Sequence, residues 1–157
     1  MIDVVNLQRK VKLDTCAFRS YIGQVSSVVS EAYGKTFAVA FVSDKRMTDL
    51  NSFFLGKDST TDVLSFPHET DEFESKRDAF SGSIDGTPEG GSLTFLGDIV
   101  ISAEQAERQA KENGVTLENE IKQLILHGLL HLCGYDHETD SGEMNRRELG
   151  LRKELNI

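Results

Sequence analysis

Apolar and polar positions recur in two different periods along this chain, and the switches between them predict its elements. Ile2 to Leu7, apolar at 2, 4, 5 and 7, predicts a short strand. Asp14 is placed to cap a helix whose Tyr21, Val25, Val28 and Ala32 form one stripe, with Gly34 as its stop. Residues 36–43 are rich in β-branched and aromatic types and predict a strand. Asp44 then predicts the cap of a short helix turning Met47, Leu50 and Phe54 inward. Residues 61–66 predict a strand ended by Pro67, and Leu93 to Ile101 another. Ser102 with Gln105 is a capping-box pair opening a helix through Asn113, which Gly114 stops. Thr116 caps the next helix, with Glu118 and Glu120 in a first turn where the helix dipole favours negative charge. From Leu124 to Cys133 that helix is apolar on nearly every side, which predicts burial at the centre of the fold. Asp140 and Glu143 repeat the capping pair before a last helix packing Met144, Leu151 and Leu155. No internal repeat or boundary interrupts the pattern. The expectation is one α+β domain over residues 1–157, a small mixed β-sheet packed with helices around a buried central helix.

One stretch lacks either period. Residues 68–92 hold seven acidic residues, several serines, four glycines and Pro88. A loop longer than about 15 residues in a small domain is a lid or disordered, and disorder is the expectation for this acidic loop. The whole chain carries 17 basic and 26 acidic residues, a net charge of −9, which argues against a general nucleic-acid binder. The acidity is uneven, however. Residues 1–60 are slightly basic, leaving room for a neutral or basic face, and Arg9, Lys10 and Lys12 read as exposed. No apolar run approaches the ~20 residues that span a bilayer, and the first basic residues follow the apolar start instead of preceding it, so no membrane association and a cytoplasmic location are expected. Cys16 and Cys133 make no disulfide framework and read as buried thiols.

The chemistry concentrates in residues 127–137, His-Gly-Leu-Leu-His-Leu-Cys-Gly-Tyr-Asp-His. His127 and His131, four apart, share one helical face. Gly134 can end the helix in a left-handed turn and bring His137 back toward them. Three imidazoles with a fourth position left for water are the catalytic arrangement of zinc, although nickel, cobalt or copper would also accept such a donor set. The alternative, core histidines satisfied by neighbours, weakens with each added histidine. The spacing approaches the metzincin protease pattern His-Glu-x-x-His-x-x-Gly-x-x-His, but Gly128 stands where those proteases carry their general base. A glycine costs a helix interior about 1 kcal/mol relative to alanine, which suggests that space is wanted there.

The same eleven residues closely resemble the signature of the YbeY family of bacterial endoribonucleases. Thr61-Asp62-Val63-Leu64-Ser65-Phe66-Pro67 and Leu96-Gly97-Asp98-Ile99-Val100-Ile101-Ser102 resemble two further family segments in the right order, and Glu120, Met144 and Glu148 fall where such proteins carry those residue types. The resemblance runs from about Leu50 to the C-terminus. It implies a single-strand-specific, metal-dependent endoribonuclease acting in small-subunit ribosomal RNA 3′-end maturation and ribosome quality control, with ribosomal RNA and the small ribosomal subunit as partners. It also implies one zinc ion on His127, His131 and His137. Two features depart from the family. Leu55 replaces the arginine that usually precedes the Gly-Lys-Asp segment, and the acidic 68–92 segment is longer than usual.

The remaining candidates are weaker. Lys57 reads as a solvated lysine, with the alternative of a phosphate contact in place of the missing arginine, as a point charge without the bidentate fork. Asp98, at a strand end, is a candidate base or histidine partner, against the plainer reading of a carboxylate satisfying backbone donors. Asp62 and Asp136 read first as structural, with site support as the alternative for Asp62 and orientation of a ligand as that for Asp136. His68 reads as exposed, with transient metal ligation as the alternative, and Tyr135 as packing on the turn, with base stacking as the alternative. Cleavage could proceed by metal-activated water or by attack of the substrate's own 2′-hydroxyl. Competing functions are a zinc metalloprotease, opposed by Gly128, and a non-catalytic ribosome-associated metal-binding module, favoured by Leu55.

Overall fold

A computed structural model describes residues 3–68, 94–136 and 138–157, the side chains of Asp3 and Thr94 excepted. Most of the acidic segment, and His137, lie outside the described residues, so the expectations of a disordered loop and of a third ligand fall outside them too. The elements run β1 (Asp3–Asn6), α1 (Thr15–Val28), a 3-10 turn (Ser30–Ala32), β2 (Lys35–Val42), α2 (Asp44–Leu55), β3 (Val63–Pro67), β4 (Thr94–Ser102), α3 (Ala103–Asn113), α4 (Leu117–Leu132) and α5 (Glu143–Leu155). The class is α+β, as the periodicity implies.

The sheet order is β1-β2-β4-β3. β1, β2 and β4 are parallel, and β3 runs antiparallel along the free side of β4. One face packs against α1, α4 and α5, where Phe37, Phe41, Ile99 and Ile101 meet Ile22, Ile125, Leu129 and Met144 in a continuous core. The other face meets α2 through a smaller cluster of Val42, Met47, Leu64 and Val100. Helix α4 is buried along most of its length, as its continuous apolar run predicts.

Most caps follow the sequence. Asp14 accepts from Ala17 N, Ser102 from Gln105 N and Thr116 from Asn119 N. Four details differ. Helix α1 ends at Val28, and Ala32 belongs to the separate 3-10 turn. Ser43, and not Asp44, caps α2, which frees the Asp44 carboxylate for other partners. The N-cap of α5 is Gly142, while Asp140 reaches past it to accept from the Gly142 and Met144 amides, both at 2.9 Å. Cys16 is exposed and Cys133 only half-buried, contrary to two buried thiols. Position 16 falls off the stripe of Phe18, Tyr21, Ile22 and Val25 that α1 buries.

Candidate metal centre and substrate groove

The central helix reaches the surface at its C-terminal end, and there the two histidines sit. Their rings stand edge to face, centroids 4.8 Å apart, with the two Nε2 atoms 3.2 Å from each other. Each Nδ1 is engaged elsewhere. His127 Nδ1 lies 2.7 Å from Glu148 Oε1 on α5, and His131 Nδ1 lies 3.0 Å from the Tyr135 carbonyl. A carbonyl only accepts, so His131 carries its proton on Nδ1, and the Glu148 carboxylate favours the same tautomer in His127. With both Nδ1 positions engaged, the two Nε2 atoms face one shared space, where a bridging cation would relieve the repulsion of their lone pairs. Two nitrogens on one tetrahedral zinc, each at ~2.0–2.1 Å, stand about 3.3 Å apart, so the observed spacing fits such an ion.

Local sequence explains this placement. Gly134, at φ +99°, lets the chain reverse after α4, and the Tyr135 amide returns to the Leu130 carbonyl at 3.0 Å. That reversal sets the Tyr135 carbonyl against His131. The Asp136 carboxylate accepts from the Glu138 amide at 3.0 Å, so it orders the following turn. On the sheet side the helix approaches closely at Gly128. A Cβ there would lie 2.9 Å from Ile99 Cγ2 and 3.1 Å from Ser65 Oγ, and Ser65 Oγ donates to the Gly128 carbonyl at 3.2 Å. The space wanted at Gly128 is space for the sheet. A side chain at this position, the metzincin glutamate included, has no room.

Glu148 is only 7 % exposed. Burial pushes its carboxyl up. The hydrogen bond and charge of His127, with the charges of Arg152 and His131, outweigh this and hold it below the usual carboxylate range. Arg152 Nη2 donates to its other oxygen at 3.1 Å. The resemblance alone marked Glu148, but the sequence held a second signal. Residues 144, 148, 151 and 155 make the buried stripe of α5, and a carboxylate on such a stripe needs a partner.

The histidines form part of a groove of 760 Å³ whose opposite wall is the α2–β3 connection. Lys57 and Leu55 line it, and Leu55 is 56 % exposed. Asp62 lines it too, accepting from Val63 N at 2.8 Å and Gln109 Nε2 at 3.3 Å, so its oxygens serve the fold. Asp98 is not brought to the histidines. It pairs in register with Phe66, on the α2 face, whereas its neighbour Ile99 pairs with Ser65 on the α4 face. His68 is half-buried, its amide bonded to Leu96 O at 3.0 Å and its ring edge-on to Phe95, which displaces the expectation of an exposed residue. Tyr135 packs partly against the main core.

The chain is similar to known proteins along most of its length. The family described as Endoribonuclease YbeY matches residues 3–156. The chain is 39% identical to the Endoribonuclease YbeY of Nautilia profundicola, over 87% of this chain and 84% of that protein. It is 32% identical to that of Thermodesulfovibrio yellowstonii, over 92% and 89% respectively. In fold it resembles a Thermotoga maritima protein solved in solution, with a TM-score of 0.60 at 24% identity, over 99% of this chain and 92% of the other.

Proposed function

This chain belongs to the YbeY family of endoribonucleases, and on that premise we propose that it is a metal-dependent hydrolase cutting single-stranded RNA, with one zinc ion held by His127, His131 and His137. The observation that carries the metal is the pair of Nε2 atoms 3.2 Å apart, with both Nδ1 positions already engaged. A zinc ion supplies Lewis acidity for a phosphoryl oxygen and a lowered pKa for bound water.

The chain's own residues set the rest. Glu148 and the Tyr135 carbonyl fix ring orientation and tautomer, the role such partners play around metal-ligating histidines. Lys57 puts a positive charge on the wall facing the histidines, where it attracts a substrate phosphate. Helix α4 contributes no carboxylate base, because Gly128 is filled by Ile99 and Ser65. The protein must then draw on bound water or on the 2′-hydroxyl of the RNA as nucleophile, and a peptide-cleaving mechanism of metzincin type lacks its base.

The physiological setting we propose is the bacterial cytoplasm, with ribosomal RNA and the small subunit as partners in 3′-end maturation and quality control. Among the described residues no helix is long and apolar enough to cross a membrane. Leu55, exposed at the groove where a basic residue would be useful, favours a second reading: a ribosome-associated module that binds without cutting.

One assay separates these. Purified protein is offered single-stranded RNA, a peptide library and isolated small subunits, with and without chelator. Chelator-sensitive RNA cleavage is expected. Peptide cleavage alone would revive the protease, and subunit binding without cleavage would establish the module. Leu55→Arg is expected to raise the cleavage rate several-fold if phosphate attraction limits it, and an unchanged rate discards that role for the position.

A further inference from the structure

The floor of the groove beside His127 is the open side of strand β3. Among the described residues β3 is an edge strand, paired only with β4. An antiparallel ladder uses the backbone groups of alternate residues. Here Ser102 N donates to Asp62 O at 2.9 Å, and His68 N to Leu96 O at 3.0 Å. Within the register Val63↔Ile101 to Pro67↔Gly97, the even-numbered residues of β3 therefore bond to β4. The backbone groups of Val63, Ser65 and Pro67 face the other way, and all three residues line the groove.

That outward edge is unbalanced. Proline has no N–H. The Val63 amide is taken by the Asp62 carboxylate at 2.8 Å. Ser65 keeps an outward N–H, flanked by the Val63 carbonyl on one side and its own carbonyl on the other. The edge thus reads acceptor, donor, acceptor. A continuous added strand needs donors and acceptors at every second residue, and this edge offers a full pair only at Ser65, which blunts strand addition. A single flat ligand with the complementary order suits it better. Adenine presents that order on its Watson–Crick edge: the amino group donates, N1 accepts and C2–H is a weak donor. Cytosine matches the first two positions only. Guanine presents acceptor, donor, donor. Uracil repeats the edge's own order, so carbonyl meets carbonyl and N–H meets N–H.

We propose that the outward edge of β3, from the Val63 carbonyl through the Ser65 amide to the Ser65 carbonyl, is a base-reading subsite that selects adenine next to the histidines. The subsite rests on the reading of this groove as the RNA site. Ser65 also ties it to the histidine helix, since its hydroxyl donates to the carbonyl of Gly128, the residue after His127. An adenine seated there would place its own nucleotide beside the metal-binding end of the groove.

Binding keeps the test separate from catalysis. Metal-chelated protein is titrated with five-nucleotide oligomers of A, C, G and U while the Ser65 amide resonance is followed. The A oligomer is expected to bind about tenfold tighter than U, the size of one or two net hydrogen bonds, and to shift the Ser65 amide. An oligomer of purine riboside, which lacks the amino group, should lose most of that advantage. Equal affinities, or tighter binding of U, overturn the proposal even if the protein cleaves RNA. A Ser65 shift produced by an extended peptide and not by any oligomer would make the edge a strand-addition site and overturn it as well. Adenine preference without metal-dependent cleavage would leave the subsite standing and remove the nuclease reading.

Discussion

The sheet has a thick side and a thin side, and the groove draws one wall from each. On the α1, α4 and α5 side, Phe37, Phe41, Ile99 and Ile101 are almost wholly buried beneath three helices. On the α2 side the cluster is Val42, Met47, Leu64 and Val100, and Val5, on the same face of β1 as Ala40 of β2, is 44 % exposed. The histidines stand on the thick side, held by a helix packed into the core. The facing wall, residues 57–62, has almost no apolar anchor and is held by polar ties. Asn51, 2 % exposed, donates to Ser59 O at 2.8 Å, and Thr60 donates to Asp44 at 3.1 Å. The half backed by the buried helix holds the two histidines, and the half held by polar ties holds Lys57 and Leu55.

The sharpest way to break this contrast is to make the same deletion on both sides. Leu129 is fully buried on the thick side and Leu64 is 9 % exposed on the thin one. Leu129→Ala is expected to cost about 3–5 kcal/mol and Leu64→Ala about 2–3 kcal/mol, read as shifts in denaturant midpoint at constant slope. Equal losses would mean that the two sides differ in appearance only.

Gly128 tests how tightly the thick side is closed. On an exposed helix, glycine to alanine would stabilise by about 1 kcal/mol. Here the added methyl meets Ile99, and Gly128→Ala is expected to destabilise by about 1–3 kcal/mol. Combining it with Ile99→Ala should cost less than the sum of the two single changes. A stabilised Gly128→Ala protein would show that helix and sheet do not touch as described.

Glu148→Gln keeps the shape and removes the charge that orients His127. Zinc affinity, measured by competition with a chelator, is expected to fall 10- to 100-fold. An unchanged affinity would leave His127 needing no such partner.

The two sides also differ in how far the sequence exposes them. Helix α4 is a continuous apolar run with a threonine cap, and both of its histidines lie on one turn of it, so every signal is local. The groove wall depends on pairing between β3 and β4, which is not local. Asp98 shows the consequence: its residue type and neighbours point to a strand end, whereas it lies in the middle of β4 and its face depends on register with Phe66. Gly97, at φ +143° and packed so that a Cβ would collide with the Phe66 carbonyl, disturbs the alternation just before it. Glu148 was legible from spacing on α5, but its partner on α4 was not. Cys16 misled because residue type was weighed above helix phase. Ser43 and Asp44 are both good caps in sequence, and only the backbone decides between them.

The smallest expected effect concerns the tie between Asp44 and the thin wall. Its Oδ1 accepts from Ser102 Oγ at 2.6 Å and from Thr60, and its Oδ2 from Arg108. Burial pushes the carboxyl up, but the Ser102, Arg108 and Thr60 hydrogen bonds and the Arg108 charge hold it below its ordinary value of 3.8. A carboxylate with a depressed folded pKa stabilises the fold fully above its unfolded value, and the contribution disappears as pH falls through the folded one. The group is partly exposed, so about 1 kcal/mol is the expected cost of Asp44→Asn at neutral pH. Urea midpoints of the two proteins, compared from neutral pH into acid, should differ at pH 6 and draw together below 3.8. A gap that widens in acid would reverse the sign and show that Asp44 is held in its protonated form.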